Sequence, residues 1–143
     1  MTEPAFWDSS SLVPLCVRQA STSLVQGLNR QYGIVVWWAA SVELRGAFGR
    51  LLRVGRLTPN KHVEAQVRLD FLRRSWREIN PSDQLRERAE SLVDRFELTS
   101  ADALQLAAAL TWCMGHPRNR PFIAGDVHLL DAARATGFQA IEG

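Results

Sequence analysis

The sequence predicts an α/β fold with a central, mainly parallel sheet flanked by helices, and three observations carry that expectation. Short apolar runs alternate with longer stretches of helical period, the pattern of crossover units around a parallel sheet. Hydroxyl residues or prolines stand where the helices should begin, at Ser9-Ser10-Ser11, Thr58-Pro59, Pro81-Ser82 and Thr99-Ser100. The length of 143 residues suits one domain, 1–143, able to bury a core without disulfides or structural metals.

Taken in order, Ala5-Phe6-Trp7 reads as a strand ending at Asp8, followed by a helix through Leu12, Val13 and Leu15 with Pro14 in its first turn. A helix over about 22–30 follows. Gly33 then punctuates the chain before Ile34-Val35-Val36-Trp37-Trp38, whose β-branched and aromatic residues predict a central strand. From Ala40, the residues Val42, Leu44, Ala47, Phe48, Leu51 and Leu52 fall on one helical face, which puts Glu43 in the first turn. Thr58-Pro59 starts a helix carrying Val63, Val67, Leu69, Phe71, Leu72 and Trp76, then comes a short strand at Glu78-Ile79-Asn80, and Pro81-Ser82 opens a helix reaching Phe96. The segment 101–114, built from Ala and Leu and closed by Gly115 and Pro117, predicts a mostly buried helix. A strand at Pro121–Ala124, a helix over 127–135, Gly137 and a strand over 138–141 complete the pattern.

Composition sets limits. Hydrophobic residues make up 46% and charged residues 22%, ordinary for a globular chain and too apolar for a disordered one. The formal net charge of +2 gives no uniform grip on nucleic acid, so any such site is a local patch. Lys61 is the only lysine, and the arginine excess fits either bidentate phosphate contacts or a GC-rich codon bias. Cys16 and Cys113 lie far apart, indicating neither a disulfide framework nor a zinc knuckle. No apolar run approaches the roughly 18 to 20 residues of a membrane span, and the start of the chain lacks a secretion pattern, so a cytoplasmic location is expected.

Four acids stand out by position. Asp8 and Asp126 follow predicted strands at their C-terminal ends, where open α/β sheets form ligand crevices. Glu43 and Asp102 sit in the first turns of predicted helices. Each alone is accounted for as a helix cap or a partner of the helix dipole, and Thr99-x-x-Asp102 reads almost as a capping box. Together they can face one crevice, and carboxylates so gathered raise one another's pKa unless a cation is present. Oxygen ligands without nearby His or Cys favour Mg2+ or Mn2+, and the chemistry that follows is hydrolysis of a phosphodiester.

These residues carry a family resemblance. Asp8-Ser9-Ser10-Ser11-Leu12-Val13 resembles the opening D-x-S motif of PIN-domain nucleases, particularly VapC-type toxins of toxin–antitoxin pairs. Ser41-Val42-Glu43-Leu44 resembles that family's helix-borne Glu, and the segment 101–109, Ala-Asp-Ala-Leu-Gln-Leu-Ala-Ala-Ala, its D-A-L-x-L-A-A-A stretch. Ile123-Ala124-Gly125-Asp126, with Leu129-Leu130 and Gly137-Phe138 after it, is similar to the closing T-x-D unit. The match spans nearly the whole chain in the family's order. It implies a PIN-like three-layer fold and a Mg2+-dependent endoribonuclease, usually a homodimer, that acts on RNA such as tRNA and is neutralised by a cognate antitoxin. It also implies that Asp8, Glu43, Asp102 and Asp126 hold the metal, and that Ser10 holds a carboxylate or a water. The chain departs from the pattern at Ala124, where a hydroxyl is usual, at His128, where some members have an acid, and at Gln105, often His.

His62, His116 and His128 lack metal-ligand spacing, and the serines lack a nucleophile elbow, so capping accounts for Ser9 to Ser11. Arg45, Arg50, Arg53, Arg56, Arg118 and Arg120 fit either phosphate contacts or a solvated face. The five Trp fit core or dimer contacts better than base stacking. A different class of function stays open, a non-catalytic PIN-like module binding a partner protein or RNA. A small phosphatase is disfavoured because no D-x-D follows the first strand.

Overall fold

The computed structural model describes residues 2–143, and among them are five strands and seven α-helices. The strands are β1 (Glu3–Trp7), β2 (Tyr32–Trp37), β3 (Arg77–Ile79), β4 (Pro121–Ala124) and β5 (Gln139–Glu142). All pair in parallel, in the order β3-β2-β1-β4-β5, with Phe6 opposite both Val35 and Phe122. The chain therefore builds outward from β1 to one side, then returns to lay β4 and β5 on the other. That reversal puts a topological switch point between the C-terminal ends of β1 and β4, the crevice where open α/β sheets bind ligands.

Two helical layers cover the sheet. One holds α1 (Val13–Cys16), α2 (Thr22–Gln31), α3 (Ala40–Arg53) and α4 (Pro59–Arg73); the other holds α5 (Asp83–Arg95), α6 (Ser100–Trp112) and α7 (Val127–Thr136). The period-2 alternation of the strands divides the core accordingly. Ala5, Trp7, Val36 and Ile123 face the first layer, and Phe6, Val35, Trp37 and Phe122 face the second. Phe6 and Phe122 stack across β1 and β4 with ring centroids 5.5 Å apart. Helix α6 buries Ala103, Gln105 and Leu106 through Ala109, as its Ala and Leu content predicts, and small residues let it lie close on the sheet. Helices on both faces of a parallel sheet make three layers, the arrangement that the PIN-like expectation calls for.

Several expectations need correction. Gly33 does not end an element; it lies inside β2, where an added Cβ would come within 3.2 Å of the Thr2 hydroxyl, so glycine there permits close approach to the start of β1. Helix α4 stops at Arg73, and Trp76 packs in the turn before β3. Val63, Val67 and Phe71, read as apolar face positions, are 57%, 63% and 70% exposed, because α4 lies on the outside and buries only Ala65 and Leu69 fully. Val42 on α3 is exposed as well, and so is Trp38, one residue past β2. Gly137 behaves as predicted, ending α7 with a φ of 118°, a conformation that favours glycine. No helix among the described residues is long and apolar enough to cross a membrane.

Candidate metal centre

The switch point opens into a cleft of about 200 Å3 lined by Asp8, Ser10, Glu43, Asp102 and Asp126, all five of the residues singled out in the sequence. Four separate elements deliver them. Asp8 follows β1 and is anchored there by its own N–H, which donates to Ile123 O at 2.9 Å. Glu43 stands in the first turn of α3, Asp102 in the first turn of α6, and Asp126 immediately before α7. Arg50, two turns beyond Glu43, is the one arginine among the described residues that lines this cleft. Of the other arginines that fit phosphate contacts by sequence, Arg45 pairs with Asp70 at 3.2 Å and Arg120 lies over the Trp112 ring.

The capping alternative separates the acids. Asp8 makes no capping bond, although a 3-10 turn begins directly after it. Asp102 is not the cap of α6 either, because Thr99 takes that place and accepts the Asp102 N–H at 3.1 Å. Asp126 does cap α7, its Oδ1 accepting from the N–H of His128 at 2.7 Å and of Leu129 at 3.2 Å. Even so, only one of its two oxygens is engaged in this way.

The serines have roles other than the capping expected of them. Ser10 donates to Asp8 Oδ2 at 2.5 Å, Ser11 to the Asp8 carbonyl, and Ser9 to Glu43 Oε1 at 2.8 Å. Gln105, fully buried on α6, donates from Nε2 to Ser9 Oγ at 2.7 Å and to Glu43 Oε1 at 2.8 Å. A network of three side chains thus ties α3, α6 and the turn after β1 together behind Glu43. Gln105 entered the sequence reading only as a departure from a motif, and no local signal pairs it with Ser9, 96 residues earlier. Its Oε1 is buried without a partner, an acceptor left open at the back of the cleft.

Electrostatics follow from this crowding. Burial pushes the Asp8 carboxyl from 3.8 up to about 6, against the pull of the Ser10 hydrogen bond, and the charges of Asp102, Glu43 and Asp126 push it further in the same direction. Burial likewise raises Glu43, opposed by Ser9 and Gln105 and aided by Asp102. Asp102 is raised by burial and by the charge of Asp126. The donor set is all oxygen, which fits a hard divalent cation, and a cation would favour the charged form of carboxyls that burial holds up. Among the described residues, however, no three acidic, His or Cys side chains stand close enough to grip an ion directly. The acids share a cleft but hold back from contact, anchored to Ser10, to Ser9 with Gln105, and to the start of α7.

No protein-family model matches the sequence, and no curated protein matches it closely. Solved structures do resemble it. The chain is similar to VapBC2 from Rickettsia felis bound to a DNA fragment from its promoter, at 11% identity and a TM-score of 0.67 over 96% of this chain and 97% of that one. It is similar to a toxin–antitoxin complex from Klebsiella pneumoniae, at 18% identity and a TM-score of 0.58 over 85% and 86%. PAE2754 from Pyrobaculum aerophilum aligns at 17% identity with a TM-score of 0.67 over 99% and 90%. Across that sequence distance, what the chain shares with the three is its fold.

Proposed function

We propose that the chain is a Mg2+-dependent endoribonuclease, the toxin of a toxin–antitoxin pair, with Mn2+ an acceptable substitute. The observation that carries this reading is the single cleft lined by Asp8, Glu43, Asp102 and Asp126, a set of oxygen donors that needs a cation if its members are to be charged together. All four would hold the ion, in part through its waters, with Asp8 and Asp126 on either side of the switch point. When bound, it supplies the charge that draws in a phosphodiester and lowers the barrier to attack by water. Ser10 fixes Asp8 through Oδ2 and leaves Oδ1 for the ion. Ser9 and Gln105 hold Glu43 through Oε1, leaving Oε2 to accept the proton of the attacking water. The water oxygen joins phosphorus, the ribose oxygen leaves and takes up a proton, and the products are a phosphomonoester and a free hydroxyl.

The partners in this reading are an RNA such as tRNA, a cognate antitoxin and a second copy of the chain, in the cytoplasm. Two of the similar structures are toxin–antitoxin assemblies, which supports the antitoxin. The exposed row Val63, Val67 and Phe71 supports a homodimer, since such a row in water favours a covering surface. Incubating partner-free protein with total RNA, in Mg2+ and in chelator, tests the reading: cleavage in Mg2+ alone is expected, and intact RNA in both overturns it.

A second reading, a non-catalytic module binding protein or RNA, draws on the lack of three ligands in direct gripping distance among the described residues. Calorimetric titration with Mn2+ separates the two. Binding abolished by Asp8→Asn favours the nuclease, and no carboxylate-dependent binding favours the module.

A further inference from the structure

A second cleft, of about 400 Å3, lies in the layer of α1 and α4, and none of the four acids of the candidate metal centre lines it. Its walls carry Arg18, Arg56, Lys61 and Arg68 against one acid, Glu64. This one cleft gathers a larger positive excess than the whole chain, which nets +2. Lys61 is engaged with Glu64 at 3.3 Å. Arg18, Arg56 and Arg68 have no carboxylate within salt-bridge reach among the described residues. Arg68, exposed on α4, lies near enough to the buried Cys16 thiol for its charge to oppose the burial that pushes that thiol up to about 12. The start of α4, capped by Thr58, opens on the same space and adds its partial positive charge. Three guanidinium groups gathered without a counter-charge make a site for an anion, and their planar donor forks suit phosphate oxygens.

The cleft and the acidic one are lined from neighbouring stretches of the same segments. Val13 lines the acidic cleft and Cys16, one turn on, lines the basic one. Ala47 and Arg50 of α3 line the first, and Arg56, just past the end of α3, lines the second. Val17, Arg18 and Arg56 of the basic cleft also border a depression that reaches Leu51 of α3, the residue after Arg50. Arg56 follows Arg50 by six residues, with α3 ending at Arg53 between them, so they are at most about 20 Å apart, within a few nucleotides' reach along an RNA strand. We propose that this basic cleft binds backbone phosphates of the RNA to one side of the scissile bond. The inference rests on the ribonuclease reading and adds to it a substrate-anchoring site remote from the carboxylates.

The test is binding of a fluorescein-labelled single-stranded RNA by anisotropy, in chelator so that nothing is cleaved, across a salt series. Each phosphate contact in single-stranded nucleic acid contributes about 0.7 to the slope of log affinity against log salt. The triple variant Arg18→Ala, Arg56→Ala, Arg68→Ala should therefore lower the slope by about 2 and weaken binding at low salt by about tenfold or more. All three side chains are exposed, so the fold should survive, as circular dichroism would check. Arg95→Ala, on the opposite helical layer, should bind as wild type. Equal affinity and slope for triple variant and wild type would overturn the proposal, and if both also cleave RNA in Mg2+ the ribonuclease reading stands without it. If the wild type binds RNA through the three arginines but cleaves nothing, the cleft stands and the ribonuclease reading falls.

Discussion

Replacing Asp8 by Asn should make the metal-free protein more stable at neutral pH. The wild-type carboxyl is buried, and its pKa rises from 3.8 when unfolded to about 6 when folded. Between those values the folded state binds more protons than the unfolded one, so stability falls as pH rises. The loss is absent below 3.8 and complete above about 6. A displacement of that size corresponds to about 3 kcal/mol at pH 7. Raised carboxyls at Glu43 and Asp102 add loss of the same sign. Asn is uncharged, nearly isosteric and still able to accept from Ser10, so Asp8→Asn should recover on the order of 1 to 3 kcal/mol at pH 7 and almost nothing at pH 4. For a chain of this length that is a rise in Tm of several degrees, about 3 °C per kcal/mol. Urea denaturation of both proteins in chelator from pH 4 to 8 measures it. Saturating Mg2+ should then close the gap, since a ligand at a hundred times its Kd stabilises the state that binds it by about 2.7 kcal/mol. A variant less stable than wild type at pH 7, or a difference that ignores pH, would refute the reasoning.

Other substitutions probe other parts. Gln105→Leu removes two donors behind Glu43, so Glu43 should titrate higher and the cleavage rate should move to higher pH, whereas a purely packing role would leave the profile unmoved. Ser9→Ala should act through the same network, and the double variant with Gln105→Leu should fall short of the sum of the singles, as a double-mutant cycle would show. Phe71→Arg, at an exposed position, should change stability by no more than about 0.5 kcal/mol yet turn a dimer into a monomer by light scattering; an unchanged mass would remove α4 from the interface. Leu106→Ala, fully buried on α6, should cost about 2 to 5 kcal/mol in denaturant melts.

The elements legible in the sequence are those whose side chains obey one dominant force. β1, β2 and β4 carry buried apolar residues, α6 is built from Ala and Leu, and α7 lies between a capping Asp126 and a left-handed Gly137. Reading fails where a residue answers to a neighbour distant in sequence. Gly33 looks like punctuation locally, but β1 requires it inside a strand. Val63, Val67 and Phe71 repeat at helical spacing as core residues would, and only the outer position of α4 reveals an uncovered row. The four acids come together as their placement on strand ends and first turns implied, with Ser10, which only the family resemblance singled out, beside them. What distinguishes them is invisible along the chain: Asp126 caps a helix, Asp8 caps nothing, and Glu43 leans on Ser9 and Gln105 from two other elements.

The central claim is that these carboxylates act as one site on RNA phosphodiesters. Its most direct measurement is the rate of cleavage of a defined RNA in Mg2+ by partner-free wild type beside Asp8→Asn and Asp102→Asn, all three verified as folded. Cleavage by the wild type, with each variant down by at least about a hundredfold, is the expected result, because removing either charge weakens the ion's hold and the field it provides. Equal cleavage by all three proteins would contradict the account and locate the activity elsewhere.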